Sequence, residues 1–299
     1  MSVYISQNSI PQKFDSSSWC ILNPIEQSIK NKIESIGTPL KDWDININYG
    51  VKTGLNEAFI IDGAKKDELI AKDPKSAEII RPILRGRDIQ RYSYNFADKW
   101  LIATFPSRHY NIDEYPAIKE YLLSFDKRIL EQSGEKNIDG IEGNNARKKT
   151  CNKWFETQDS IAYWDDFNRQ IISWQRITQK PTFCLTEPKM IVLDSMAFLS
   201  NIGSQKYWLL AVLNSDLIYF WAKLNVHEYG DTGFRLSNQY VEQITIPRIE
   251  EELLEKINNL IISQIKEFSN TNEGKIQKLI YQIYKISDEE IKIINSRIK

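Results

Sequence analysis

Gly50-Val-Lys-Thr-Gly-Leu-Asn-Glu-Ala-Phe-Ile-Ile-Asp62 decides how the chain is read. Just before it, Trp43, Ile45, Ile47 and Tyr49 recur at every second residue, the spacing that puts apolar side chains on one face of a half-buried strand. Gly50 and Gly54 then open a tight turn, since glycine enters positive φ without steric cost. Lys52, Thr53 and Asn56 are expected to stand out on that turn, and Phe59 to Ile61 to return into a core. Glycines around a Lys and a Thr suggest phosphate binding, but the Gly-Lys-Ser/Thr order of a P-loop is absent, so nucleotide binding is set aside.

Upstream, residues 1 to 22 mix Ser, Gln and Asn with few apolar residues and read as an irregular lead-in. Asn23-Pro24-Ile25-Glu26 supplies an N-cap, a proline at the first helical position and a glutamate at the third, which predicts an amphipathic helix carrying Ile29, Ile33 and Ile36 and ended by Gly37 and Pro39. Residues 1–40 are therefore expected to be a lead-in and linker helix.

Downstream, residues 41–248 alternate short strands and helices without a βαβ rhythm, which predicts an α+β domain with a mixed sheet. Strands are expected at 171–174, 182–185 and 190–193, and a helix starting at Pro116 with Ile118, Leu122 and Phe125 on one face. Arg85-Gly86-Arg87 reads as a turn, either a solvated loop or a DNA-facing one. The polar run 131–150, with three glycines and then Arg147-Lys148-Lys149, reads as a mobile loop suited to a phosphate backbone. Trp154, Phe155, Tyr163, Trp164, Phe167 and Trp174 interleave with Arg169, Gln175 and Arg176; such a mix packs a core or reads bases by stacking and forked hydrogen bonds. Tyr207 to Trp221 is apolar almost all round a helix and belongs in a core, with Asn214, Ser215 and Asp216 breaking it. Arg235 and Asn238 follow on a glycine-bearing loop, where Asp231 offers Arg235 a salt bridge as the alternative to DNA.

Residues 249–299 carry helical apolar stripes at Leu253 to Phe268, at Ile276 to Tyr284 and, after a Ser287-Asp-Glu-Glu290 capping box, at Ile291 to Ile298. A C-terminal helical hairpin results, whose stripe must pack on its own domain, a partner or a second copy.

The net charge of −1 and pI near 6.2 do not show the basic excess usual in nucleic-acid binding. Charge is segregated, however: Arg81, Arg85, Arg87 and Arg91 stand against Asp88 alone between 81 and 91, while Glu250, Glu251, Glu252 and Glu255 crowd another stretch. Three cysteines without paired spacing indicate neither a disulfide framework nor a zinc site. With no signal-peptide pattern, and 207–213 as the longest apolar run, a soluble cytoplasmic protein is expected, not a membrane one.

Together with Gly50 to Asp62, an ordered series of segments carries a resemblance. These are Ser76-Ala-Glu-Ile-Ile-Arg-Pro-Ile-Leu-Arg-Gly-Arg-Asp-Ile-Gln-Arg-Tyr92, Trp100-Leu-Ile102, Tyr115-Pro-Ala-Ile-Lys-Glu-Tyr-Leu122 and Lys153-Trp-Phe-Glu156. Further on come Tyr207-Trp-Leu-Leu-Ala-Val-Leu-Asn-Ser-Asp-Leu-Ile218, Arg235-Leu-Ser-Asn-Gln-Tyr-Val-Glu-Gln-Ile-Thr-Ile-Pro247 and Leu279-Ile-Tyr-Gln-Ile-Tyr-Lys-Ile-Ser-Asp-Glu-Glu-Ile291. In order and spacing the chain resembles the TaqI-like C-terminal specificity domain, the target-recognition domain of adenine-N6 DNA methyltransferases and type IIG restriction–modification enzymes. The resemblance implies a sequence-specific binder of double-stranded DNA without the catalytic half. Its partner would be a methyltransferase subunit or domain that holds S-adenosylmethionine, and its C-terminal helices are available for self-association. Lys52, Thr53, Asn56, Arg85, Arg87, Arg147, Lys148, Lys149, Arg176, Arg235 and Asn238 are the expected DNA contacts, chosen for charge and loop context within these motifs.

No catalytic or metal site is expected. The Asn/Asp-Pro-Pro-Tyr/Phe motif of adenine methyltransferases is missing, since Asn23-Pro24 continues with Ile25 and Glu26. Asp166, Glu187 and Lys189 imitate a Mg²⁺ nuclease, but Pro188 interrupts the strand that would present the last two. The histidines His109 and His227 sit in no nucleophile elbow. Two rivals remain: a Mg²⁺-dependent restriction nuclease, and a protein-interaction subunit of the modification complex.

Overall fold

The capping signal at Asn23 acts as the sequence requires. Its side chain accepts from the Glu26 N–H at 2.9 Å while the Glu26 carboxylate accepts from the Asn23 N–H at 3.0 Å, opening the helix Pro24–Ser35. Gly37, at φ +93°, turns the chain into the strand Thr38–Pro39, which pairs antiparallel with Thr245–Ile246. The computed structural model describes residues 22–226, 228–230 and 233–299, so the lead-in before Leu22, His227 and Asp231 lie outside the described residues.

Three helices close the chain: Glu251–Lys266, Asn270–Ile283 and Asp288–Ile298, the last opened by the complete Ser287/Glu290 capping box. The first packs on the helix Lys206–Leu213, and the third on Asp216–Asn225 and on Pro24–Ser35. Their stripe (Leu254, Ile257, Ile261, Ile276, Ile280, Ile294) shares one core with Ile29 and Ile33. Most of the stripe for which a second copy was an option is thus covered by the chain itself, with Phe268 at its end left 51% exposed, and the expected linker helix is part of the core.

The principal sheet runs Asn46–Tyr49, Met196–Ser200, Ile172–Gln175, Phe183–Leu185, antiparallel throughout. Its strand Met196–Ser200 separates two cores. Ala197 and Leu199 face the helical one, whereas Met196 and Phe198 face a second that holds Phe59, Ile83, Leu101 and Ile118, as alternate side chains on a strand must. A second sheet, Ile60–Asp62, Lys99–Ile102, Ile80–Leu84, Ile191–Val192, joins its last pair in parallel. A ribbon of Glu228–Tyr229, Gly233–Arg235 and Ile177–Thr178 completes the strands among the described residues. The architecture is α+β, mixed sheets followed by a helical C-terminal region. No helix among the described residues is long and apolar enough to cross a membrane.

Four local expectations are corrected. The strand before Gly50 is only Asn46–Tyr49: Trp43 is buried ahead of it, its indole N–H donating to the Thr38 carbonyl, and Tyr49 is 45% exposed. Gly54 does take φ +81°, but Gly50 does not have positive φ; a Cβ there would lie 2.1 Å from the Leu193 carbonyl oxygen. Gly50→Ala is accordingly expected to lose about 1–3 kcal/mol of stability through backbone displacement, read as a lowered urea midpoint; an unchanged midpoint would remove the close approach as the reason for this glycine. The 131–150 segment is no free loop, because Gly134, Ala146, Arg147 and Thr150 N–H groups donate to carbonyls of Arg147, Glu135, Glu131 and Gln132 and cross-tie it. The apolar run 207–221 is two helices. Between them the buried Asn214 amide accepts from the Phe183 N–H (3.0 Å) and donates to the Phe183 carbonyl (2.9 Å), while Ser215 caps the second helix.

Candidate nucleic-acid interface

Where the strand Ile80–Leu84 ends, Gly86–Asp88 forms a single 3₁₀ turn. The Arg85 guanidinium grips Asp88 with two bonds, Nε to Oδ2 at 2.9 Å and Nη2 to Oδ1 at 2.7 Å, and the Arg85 N–H donates to the same carboxylate. Burial pushes the Asp88 carboxyl up, but these Arg85 donors outweigh it and hold the group below the usual carboxylate range. Arg85 is therefore neutralised in place. Arg87, on the same turn, is exposed and has no ion-pair partner among the described residues. Both line an open cleft of about 470 Å³ together with Asn56, Glu57, Lys99 and Gln175.

Gln175 leads directly to Arg176 and Ile177, and this junction extends the surface in two directions. Arg176 donates through Nη1 to the Asp194 carbonyl at 3.0 Å and lies 4.4 Å from the centre of the exposed Tyr49 ring, a cation–π contact. Ile177 pairs with Arg235 across the ribbon. Directly opposed residues share a face, and both are exposed, whereas the other pair, Thr178 and Phe234, has the buried Phe234. Beyond Tyr49, the exposed Lys52 and Lys148 both act on the Asp159 carboxyl, which burial nevertheless raises. Lys149 is exposed beside Gly134.

Two expected contacts are removed by their surroundings. Thr53 is 1% exposed; its hydroxyl donates to Asn56 Oδ1 at 2.7 Å and accepts from the Leu55 N–H at 3.2 Å, so it shapes the turn instead of standing on it. Arg147 is 3% exposed, and its guanidinium donates to the carbonyls of Leu130, Thr53, Glu156 and Trp154. Burial lowers its pKa to about 10, and the group cannot reach a phosphate. Asn238 is half-buried at the start of the short helix Asn238–Val241, with its Oδ1 unpartnered among the described residues.

Among the aromatics, Phe155, Phe167 and Trp174 are buried and structural, while Trp154, Tyr163 and Trp164 are half-buried. Lys99 and Glu57 were not picked out by sequence reasoning; the signal available for Lys99 was its place next to the Trp100-Leu-Ile102 segment. The nuclease constellation does not assemble as a metal site. Asp166 accepts from the Ser200 hydroxyl (2.7 Å) and the Asn48 amide (3.4 Å), and among the described residues no three His, Cys, Asp or Glu side chains group as metal ligands.

A family model described as the TaqI-like C-terminal specificity domain matches residues 81–246, more than half of the chain. No curated protein sequence matches significantly. Among solved structures, the chain is similar to the type IIL restriction-modification enzyme MmeI in complex with DNA, with 12% identity and a TM-score of 0.52, covering 88% of this chain and 37% of that one. It is also similar to the type IIG restriction endonuclease BpuSI, with 12% identity and a TM-score of 0.50, covering 92% of this chain and 33% of that one. The chain thus spans about a third of the length of each, and at this identity the likeness is one of fold. The family match takes in the Arg85–Asp88 turn, the Gln175–Ile177 junction, the Arg235 strand and the strand that closes onto Thr38–Pro39, and the chain belongs to the TaqI-like C-terminal specificity domains.

Proposed function

We propose that the chain reads double-stranded DNA as the target-recognition part of a restriction–modification system. Adenine-N6 methyl transfer, with its S-adenosylmethionine, belongs to a catalytic domain or subunit outside this chain. The observation that carries the reading is the family match laid over a strip of exposed cations, Arg87 and Arg235 within it and Lys52 beside it, next to a polar cleft. Exposed cations release counterions when they meet phosphates, which supplies affinity and register. Discrimination then comes from a few base-edge contacts. An overall charge of −1 is compatible with this division, because the acidic run at Glu250–Glu255 opens a helix packed on Lys206–Leu213, and neither helix lines the cleft.

The test is selection from randomised duplexes at two salt concentrations, with and without a candidate methyltransferase subunit. Enrichment of one short motif, with retention that falls as salt rises, is expected. Arg87→Ala should weaken binding to all sequences alike and reduce the salt slope by about 1. Absence of salt-sensitive retention in every arm would overturn the reading.

A further inference from the structure

We infer that Gln175 is a specificity-determining residue of the cleft, reading an adenine edge in the major groove; the inference rests on the DNA-binding function proposed above. Gln175 ends the strand Ile172–Gln175, and the pleat sends it to the opposite side from Trp174, which is buried with its indole N–H on the Leu236 carbonyl. It lines the cleft and lies across Gly86. A Cβ at Gly86 would stand 3.0–3.2 Å from Gln175 Cγ, Cδ and Nε2, so the missing side chain leaves the room in which this amide lies. Gly86 in turn is held by the Arg85–Asp88 clamp on either side of it.

Contact fixes the Gln175 amide, and hydrogen bonding does not: among the described residues it has no side-chain hydrogen-bond partner. Its neighbours differ. The Asn56 oxygen is taken by the Thr53 hydroxyl, and Arg85 is taken by Asp88. Arg87 and Lys99 are cations suited to phosphate. Glu57 offers only acceptors and Ser195 a single hydroxyl, so Gln175 is the cleft-lining side chain that presents a separate donor and acceptor side by side, both unpaired among the described residues. That pair complements the N7 acceptor and N6 amino donor of adenine, a bidentate match that phosphates do not require. Arg85 and Asp88 act as positioning residues for the turn on which Gly86 and Arg87 sit.

The experiment is the randomised-duplex selection carried out on the full chain with Gln175→Ala and Gln175→Glu, after checking that both unfold near the wild-type temperature. Q175A should keep affinity for non-specific duplex within about twofold and the same salt slope, yet bind the preferred motif about tenfold or more weakly, through lost discrimination at one A·T position. Q175E removes the donor and keeps acceptors, so preference at that position should move from adenine towards cytosine, whose N4 amino group donates. A wild-type motif that both variants reproduce unchanged would overturn the assignment while leaving DNA reading intact. A wild-type chain that enriches no motif and shows no salt-sensitive retention, with or without the methyltransferase subunit, would instead overturn the DNA reading, and the assignment with it.

Discussion

Replacing Arg147 by methionine is expected to lower the unfolding free energy by about 3–5 kcal/mol. The guanidinium donates Nε and Nη2 to the Leu130 carbonyl (2.8 and 2.6 Å), Nη1 to Thr53 (3.1 Å) and Glu156 (2.6 Å), and Nη2 to Trp154 (2.6 Å). No carboxylate forms an ion pair with it among the described residues; backbone dipoles and the Phe59 ring, 4.9 Å away, surround the charge. Methionine would fill much of the volume, but the Leu130 and Trp154 carbonyls would lose their donors, while Thr53 keeps the Gln158 N–H (3.2 Å) and Glu156 the Gln132 amide (3.1 Å). Part of that loss is offset, since the guanidinium no longer has to be kept from water. Arg147→Lys should rescue less than half, because one ammonium cannot span carbonyls that a planar fork reaches in different directions. Urea unfolding of both variants at unchanged m measures this; a loss below about 1 kcal/mol for R147M would show that the carbonyls find water readily and that Arg147 is no hub. The same variant should disturb the presentation of Lys52, because Thr53 is one of the residues tied.

Arg147 also marks the limit of what its sequence neighbourhood reveals. Followed by Lys148 and Lys149 in a glycine-bearing run, it has the local look of a solvated charge. Its burial depends on a carbonyl 94 residues away and on turns that exist only in the fold. Local signals behaved differently: the capping boxes at Asn23 and Ser287 involve residues three apart, and both form as written. The same holds for the α+β class and the helical C-terminus, which rest on stripes within single elements.

Where two cores meet, the pattern is erased. Met196–Ser200 shows no alternation because both of its faces are buried, so a central strand looks like any short apolar run. Within the candidate interface, Arg85 and Arg87 are equivalent in composition and opposite in their pairing. The difference is Asp88, near enough for a sequence reading to reach, but only geometry shows that it clamps Arg85 and leaves Arg87 free. Gln175 could not be distinguished at all from its neighbour Arg176 without the contact at Gly86.

Glu273→Ala is expected to lower stability by about 3–4 kcal/mol, by separating the segment that follows the Arg85–Asp88 turn from the C-terminal helices. The Glu273 carboxylate accepts from the Tyr92 hydroxyl (2.8 Å), the Gln277 amide (2.6 Å) and the Gln264 amide (3.2 Å), and pairs with Arg91 at 2.7 Å. Tyr92 is fully buried and sits at φ +73°, a conformation that costs about 1 kcal/mol or more in a non-glycine residue and is held by its surroundings. Burial, with the Glu273 charge adding to it, raises the Tyr92 phenol, so the group remains a neutral donor at any ordinary pH. Alanine at 273 would strand that hydroxyl and leave Arg91 with the Asn214 carbonyl and Asp216, whose carboxylate is 4.0 Å away. Glu273→Gln keeps the shape and an acceptor and should lose about 1–2 kcal/mol, and Tyr92→Phe about 1 kcal/mol. Because the two groups share one bond, the double variant Y92F/E273Q should lose less than the sum by about 0.5 kcal/mol or more. Additive losses in that cycle, or an E273A variant within about 1 kcal/mol of wild type, would mean that the helices hold the Arg85–Tyr92 segment through apolar packing alone.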